Sequence, residues 1–375
     1  MTDVPGIAIL GAGIFAKEAH LPALAALGSS APPLRAVYSR SEKSAQDLAQ
    51  AATASLNLST SPAAYHDGDT STNLDALLSR NDITAIIVAL PITTQPSIII
   101  KALAAGKHVL SEKPVAPDVQ SGLKLIADYE TTYKPKGLIW RVAENFEAEP
   151  GYRAVGEVVR SGKIGEVQSF KAVVINYMDK ESKWYKSPWR TIPDYQGGFL
   201  LDGGVHTTAA LRVMLPHPLT HLSGFSSLNK DYLAPHDTVH TIVKAGPKIR
   251  GTAELTWASP TKSRPTADGF VISGSNGWIS VNQIHKPGSN APIIRATIHS
   301  NFKSDSGAEE EKEEVIEELY SGVKAELTSF FAAIKGQDDG KNLGDPLAAL
   351  SDVAFVQAAL NSEGNLVDLT QLIKG

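Results

Sequence analysis

The sequence contains no cysteine. That excludes a disulfide scaffold, an iron–sulfur cluster and a cysteine nucleophile, and it removes the thiolate ligands of most structural zinc sites. An excess of charge is lacking too: 35 Lys and Arg against 40 Asp and Glu leave a net charge of −5. Such a balance gives no electrostatic reason to bind nucleic acid or an anionic membrane surface. There is no long hydrophobic run either. The most apolar stretch, residues 83–103, is interrupted by Pro91, Gln95, Pro96 and Lys101, so no transmembrane helix is expected. The start, Met1-Thr2-Asp3-Val4-Pro5, puts an acid where a secretory signal carries positive charge. The expectation is a soluble, cytoplasmic protein whose partner is a small-molecule substrate.

What the sequence does have is enough apolar material, 42% of 375 residues, for two domains or three. The first 140 residues alternate short apolar runs with helical patterns. Strands are expected at 7–10, 34–38, 85–90 and 108–110. Helices are expected at 15–27, 41–52, 74–78, 97–105 and 119–133, with Pro22 kinking or shortening the first. Continuous apolar strands alternating with helices point to a parallel sheet covered on both faces. After Leu138 the pattern changes. A helix at 151–161 precedes longer, more alternating β-like runs at 167–177, 238–244, 249–257, 270–273 and 278–281, which fit a sheet with one face against helices. A helix at 206–215 interrupts them. The acidic run 309–318 reads as a solvated strand or helix face, and late helices are expected at 323–335 and 346–361. The domain expectation is 1–140, 141–345, and a closing helix and tail at 346–375.

Gly11-Ala12-Gly13-Ile14-Phe15-Ala16 fits the dinucleotide fingerprint G-x-G-x-x-[GA] between a strand and a helix. Gly11 serves the tight turn, Gly13 lets backbone approach a pyrophosphate, and Ala16 lets helix and strand pack closely. The following helix start offers free N–H groups to phosphate. The plainer alternative is a glycine turn. The second strand ends Tyr38-Ser39-Arg40-Ser41 with no carboxylate at its tip. Arg40 and Lys43 suit a 2′-phosphate, so NADP is favoured, with NAD the alternative. Further on, Glu112-Lys113-Pro114 follows a strand, placing a lysine at a ligand-binding sheet edge. Asp202-Gly203-Gly204-Val205-His206 sets an acid and a histidine four residues apart, on one face of a helix. Histidine suits proton transfer near neutral pH, and a carboxylate can orient it. A helix cap and a core histidine are the plainer alternatives. Two metal ligands are another, but no third ligand has a matching spacing, and no metal is expected. Gly203-Gly204 is expected to make a tight turn into the helix carrying His206.

Together, Gly11-Ala12-Gly13, Glu112-Lys113-Pro114 and the 202–206 block resemble the Gfo/Idh/MocA oxidoreductases, in order and spacing over almost the whole chain. Residues 197–212 look most like the fungal NADP-dependent branch. The resemblance implies a doubly wound parallel Rossmann sheet plus an α/β domain with a large open, mostly antiparallel sheet. It also implies hydride transfer between a nicotinamide and a sugar, polyol or related carbonyl compound. Lys113 then lies by the nicotinamide and the reacting oxygen, His206 is the acid/base, and Asp202 supports it. The implied cofactor contacts are Gly11, Gly13, Ile14, Phe15, Ala16, Ser39, Arg40, Lys43, Leu90, Pro91, Gln95, Glu112 and Lys113. Asn145, Trp189 and Arg190 are candidates on the substrate side, although Trp189 also fits a packed loop aromatic. The chain departs from the family where Ile92 follows Pro91, where Gln95 takes a histidine position, and where Ala209 replaces an aspartate. These departures put a simple polyol substrate in doubt. A homodimer or homotetramer through the open sheet is expected. A dinucleotide-binding regulator without catalysis and an NAD-dependent glycosidase are the alternatives.

Overall fold

A computed structural model describes residues 5–265, 268–286, 292–304, 307–337 and 340–374. It has two compact units, Met1–Glu144 with Val323–Leu350, and Asn145–Gly322 with Ser351–Gly375. No helix among the described residues is long and apolar enough to cross a membrane.

The first unit is built on six parallel strands: β1 (Gly6–Leu10), β2 (Leu34–Tyr38), β3 (Ala63–Tyr65), β4 (Ile83–Val88), β5 (His108–Glu112) and β6 (Trp140–Ala143). Their order is β3-β2-β1-β4-β5-β6, so the topology reverses between β1 and β4. In such sheets ligands bind beyond the carboxyl ends of the strands at that reversal. Every residue of β1 is buried, because helices cover both faces. Local chemistry starts the helices. Ser41 accepts the Ser44 N–H at the head of Glu42–Ser55, and Asp118 accepts the Ser121 N–H at the head of Val119–Asp128.

Pro22 neither ends nor breaks the fingerprint helix. The chain makes a π-turn over Ala16–His20 and resumes as an α-helix at Leu21–Leu27. Pro22 then lies in the first turn of a new α segment, where its missing N–H costs little. The apolar strand expected at 85–90 runs over 83–88 instead, which leaves Ala89 and Leu90 in the turn beyond it.

The second unit carries nine strands: β7 (Val167–Ile175), β8 (Leu219–Ser227), β9 (Thr238–Ala245), β10 (Ile249–Thr256), β11 (Gly269–Gly274), β12 (Gly277–Ile284), β13 (Ile293–Lys303), β14 (Glu309–Leu319) and β15 (Val367–Asp368). The order is β14-β13-β12-β11-β7-β10-β9-β8-β15, and among the described residues only the β7–β10 pair is parallel. Helices Pro150–Arg160 and Phe199–Met214 pack on one face. On the other face a continuous row of partners crosses the sheet: Ser223, Ile242, Thr252, Lys171, Val271, Ser280, Thr297 and Val315. Ile242 is 66% and Val315 52% exposed. The acidic run is the edge strand β14, whose glutamates line a sheet margin in solvent.

The helix expected at 206–215 begins seven residues earlier, at Phe199. The chain turns into it at Gly197 and Gly198, with φ of 73° and 52°. Gly203 and Gly204 therefore lie inside the helix rather than at its approach. Their role is contact: a Cβ on Gly203 would sit 2.3 Å from the Trp257 ring. The bare backbone lets the helix lie close on the sheet, and tertiary packing outweighs the poor helix propensity of glycine.

Candidate active site

In the first unit the residues singled out from sequence gather at one edge. Gly11 follows β1, Ser39 and Arg40 follow β2, Leu90 and Pro91 follow β4, and Lys113 follows β5. All four are carboxyl ends of parallel strands. Gly11 has φ 111°, and its N–H donates to the Tyr38 carbonyl at 2.8 Å. A Cβ there would stand 2.1 Å from the Ala89 carbonyl oxygen, so the turn admits glycine alone. Gly13 is different: a Cβ there would meet nothing within 4 Å. Its backbone faces open space at the head of a helix, where N–H groups point outward. Gln95 is 1% exposed, yet neither polar atom of its amide has a hydrogen-bond partner among the described residues. A buried amide left so is costly unless something else satisfies it. The bare cradle at Gly13 and the orphaned amide of Gln95 fit a dinucleotide whose phosphates meet the first and whose polar ring end meets the second.

Arg40 is exposed at the tip of β2. Lys43 is exposed as well and pairs with Asp47 at 2.9 Å, one helical turn on. Lys113 is half-buried, and the Lys113–Pro114 peptide is cis. Glu112 points elsewhere than expected for a cofactor contact: it is buried, and its carboxylate accepts a hydrogen bond from His20 Nε2 at 2.7 Å.

In the second unit Asp202 and His206 share the helix Phe199–Met214. Asp202 is 7% exposed and accepts the Arg190 Nε–H at 2.7 Å. The Arg190 guanidinium lies 4.0 Å over the Trp189 ring and 5.1 Å from that of Trp184. These contacts set the carboxylate in a charge-assisted pair with a guanidinium backed by aromatic faces. His206 is half-buried, and its ring stacks on Phe146 at 4.6 Å with 24° between planes. Beside Phe146, Asn145 is buried and donates from Nδ2 to the Tyr320 hydroxyl at 2.9 Å. Trp189 thus supports Arg190, and Asn145 helps fix the wall behind His206. Ile92 and Ala209, where the family commonly has polar groups, are 1% and 0% exposed and belong to the core.

Three residues escaped the sequence reading. Tyr195, two residues before the Gly197-Gly198 turn, is 8% exposed, and its hydroxyl has no hydrogen-bond partner among the described residues. Burial first, and then the Asp202 charge, push its phenol well above the ordinary range, so it stays a donor. Phe146 and His20 are the others. The signal for His20 was its place one turn beyond Ala16 on the fingerprint helix; the signals for Tyr195 and Phe146 were only their neighbours.

The family and the fold are shared with known proteins. Residues 6–134 match the family described as oxidoreductases with an NAD-binding Rossmann fold, and residues 152–280 match the GFO/IDH/MocA C-terminal domain. A dehydrogenase of Fusarium mangiferae is 38% identical over 364 residues, covering 95% of this chain and 96% of that protein. The dTDP-3,4-didehydro-2,6-dideoxy-alpha-D-glucose 3-reductase of Streptomyces violaceoruber is 27% identical, covering 94% of this chain and 93% of its own. The crystal structure of an oxidoreductase from Thermotoga maritima superposes with a TM-score of 0.79 at 28% identity, covering 98% and 99%. With a glycine cradle at the sheet reversal, a lysine after β5 and matches spanning both units, the chain belongs to the Gfo/Idh/MocA family of oxidoreductases.

Proposed function

We propose that the chain is an NADP-preferring oxidoreductase that interconverts a carbonyl and an alcohol on a small polar, sugar-like substrate. The observation that carries this reading is the gathering of Gly11, Gly13, Gln95 and Lys113 at the carboxyl edge of the parallel sheet. When bound, the nicotinamide supplies or accepts the hydride. The chain's own residues do the rest. The N–H groups at the start of the fingerprint helix hold the pyrophosphate. In the first unit the role of the Lys113 ammonium is to stabilise negative charge growing on a substrate oxygen; in the second unit the role of His206 is to give or take a proton. Asp202, held by Arg190, orients the polar surroundings of His206 one helical turn away. The Tyr195 hydroxyl offers a further donor to a substrate hydroxyl.

Preference for NADP rests on the absence of a carboxylate at Ser39-Arg40-Ser41 and on the exposed Arg40 guanidinium. The sugar-like substrate class draws on the name of the Streptomyces relative, a reductase of a keto-deoxysugar nucleotide. The test is turnover of a panel of keto-sugars, polyols and simple carbonyls with NADPH and with NADH. Oxidation of NADPH by a sugar-ring ketone at a higher kcat/KM than with NADH supports the reading. Tight cofactor binding without turnover of any member would favour a regulator. Bond cleavage in a glycoside with no net redox change would favour a glycosidase.

A further inference from the structure

His20 is fully buried, at the end of the π-turn in the fingerprint helix. The wide turn aims its ring at the end of β5, where Nε2 donates to the Glu112 carboxylate at 2.7 Å. The ring is held from a second side by Phe15, edge-on at 5.3 Å and 84°. Glu326, on the helix Gly322–Ile334, completes a buried group in which one atom each of His20, Glu112 and Glu326 lie within 4.8 Å of one another. Burying such a pair gains little stability over apolar residues of similar size. π-turns also concentrate at functional sites. Glu112 is the last residue of β5, and Lys113 follows it directly, in a bend that carries the cis Lys113–Pro114 peptide. Anchoring the Glu112 carboxylate therefore fixes the strand end from which Lys113 departs.

We propose that the His20–Glu112 hydrogen bond is a hold that sets the direction of Lys113, making His20 a positioning residue that ties the phosphate-side helix to the reacting end of the site. The proposal rests on Lys113 being an active-site group. Nothing of the hold reaches substrate or cofactor; it acts through the strand end.

The test compares His20→Gln, which keeps a side-chain N–H near the position of Nε2, with His20→Leu and His20→Phe, which remove it. His20→Phe retains a ring against Phe15 should the leucine variant fail to fold. Two readouts are taken on the full chain. The first is acetylation of Lys113 by acetic anhydride with and without NADPH, followed by peptide mass spectrometry, with Lys101 and Lys124 as internal references. The second is kcat and KM on the carbonyl found by the turnover screen. The donor-less variants are expected to change the Lys113 labelling ratio several-fold. They are expected to lower kcat about 10- to 100-fold, the scale of a displacement near 1 Å, with KM and NADPH affinity little changed. His20→Gln is expected to recover most of both signals. Unchanged labelling in the donor-less variants, or equal losses in His20→Gln and His20→Leu, would overturn the hold. So would a stoichiometric metal ion retained by the native protein and lost in His20→Leu, which would make the group a metal site. A Lys113→Met variant with full turnover would instead overturn the assignment of Lys113, and the labelling result would still decide whether His20 orients it.

Discussion

Strands in the first sheet are all parallel, and the central ones are covered on both faces and largely apolar: β4 reads Ile83-Thr84-Ala85-Ile86-Ile87-Val88 and is buried at five of its six positions. Strands in the second sheet alternate, as in β9, where Val239, Thr241 and Val243 are buried while His240 and Ile242 are exposed. The first sheet uses its edge: the carboxyl ends of its strands present backbone and a few side chains to a ligand. The second uses its faces, one to carry the helix with Asp202 and His206, the other free for another surface. On the proposed function one chain builds its chemistry in two ways, and substitutions in the two units should fail in different ways.

The largest effect is expected at His206, the proposed acid/base. His206→Asn should lower kcat about 10²- to 10⁴-fold, the range for loss of a general acid or base, with thermal unfolding close to wild type. Retained turnover would make His206 a structural residue stacked on Phe146. Within the covered sheet, Ile87→Ala should destabilise by about 2–5 kcal/mol in urea unfolding, because Ile87 is 1% exposed and a cavity would remain.

Next comes a pH effect confined to the second unit. Glu149 is fully buried and accepts the Ser321 and Gly322 N–H groups at 2.9 and 2.8 Å. Burial pushes its carboxyl from 4.5 up to about 7, against the two hydrogen bonds, which lower it. The folded chain therefore binds this proton more tightly than the unfolded chain. The stability due to this group is present below pH 4.5 and is lost as pH rises through 7, by on the order of 3 kcal/mol. Glu149→Gln should flatten that slope in unfolding measured from pH 4.5 to 8; an unchanged slope would place the titration elsewhere.

At the edge of the first sheet, Arg40→Ala should weaken NADPH about 10- to 100-fold, as loss of a charge-assisted phosphate contact does, and leave NADH nearly unchanged by fluorescence titration. Equal losses would remove the 2′-phosphate from the argument. The smallest effect on stability is expected on the free face of the second sheet. We propose that copies of the chain assemble through this face; Ile242→Lys should then shift unfolding by no more than about 0.5 kcal/mol, yet lower the assembled mass to that of a monomer in light scattering. A wild-type chain that is monomeric at micromolar concentration would sink assembly through this face.

Much of the first unit could be read directly, because continuous apolar runs and glycine turns are local signals. The fingerprint, the strands β1 and β2 and the cap at Ser41 fall where those signals put them. The short strands β3 and β6 did not show: three and four residues leave too little pattern. In the second unit β8, β13 and β15 were missed: β8 mixes Ser, Gly and His, and β15 has only two residues, whereas β13 does carry strand formers at Ile293, Ile294, Thr297 and Ile298. The Asp202–His206 helix face was read correctly, but the helix start was not, since Gly203-Gly204 resemble a turn until Trp257 is known to press on them. Arg190 was a candidate by position alone; that it holds Asp202 follows only from the fold. Contacts such as His20–Glu112 join residues 92 apart, and no local pattern announces them.

The seating of Arg190 on Trp184 and Trp189 gives this protein an optical gauge. Indole emission responds to a cation resting on the ring, and this cation is also tied to Asp202. Any compound that draws Arg190 away from the indoles, or presses it closer, should alter tryptophan fluorescence without a coupled assay or a label. Of the remaining indoles, Trp140 and Trp278 lie elsewhere and supply a background, whereas Trp257 packs on Gly203, next to Asp202. A substrate search can therefore begin by watching light from the protein itself, before the reaction is known.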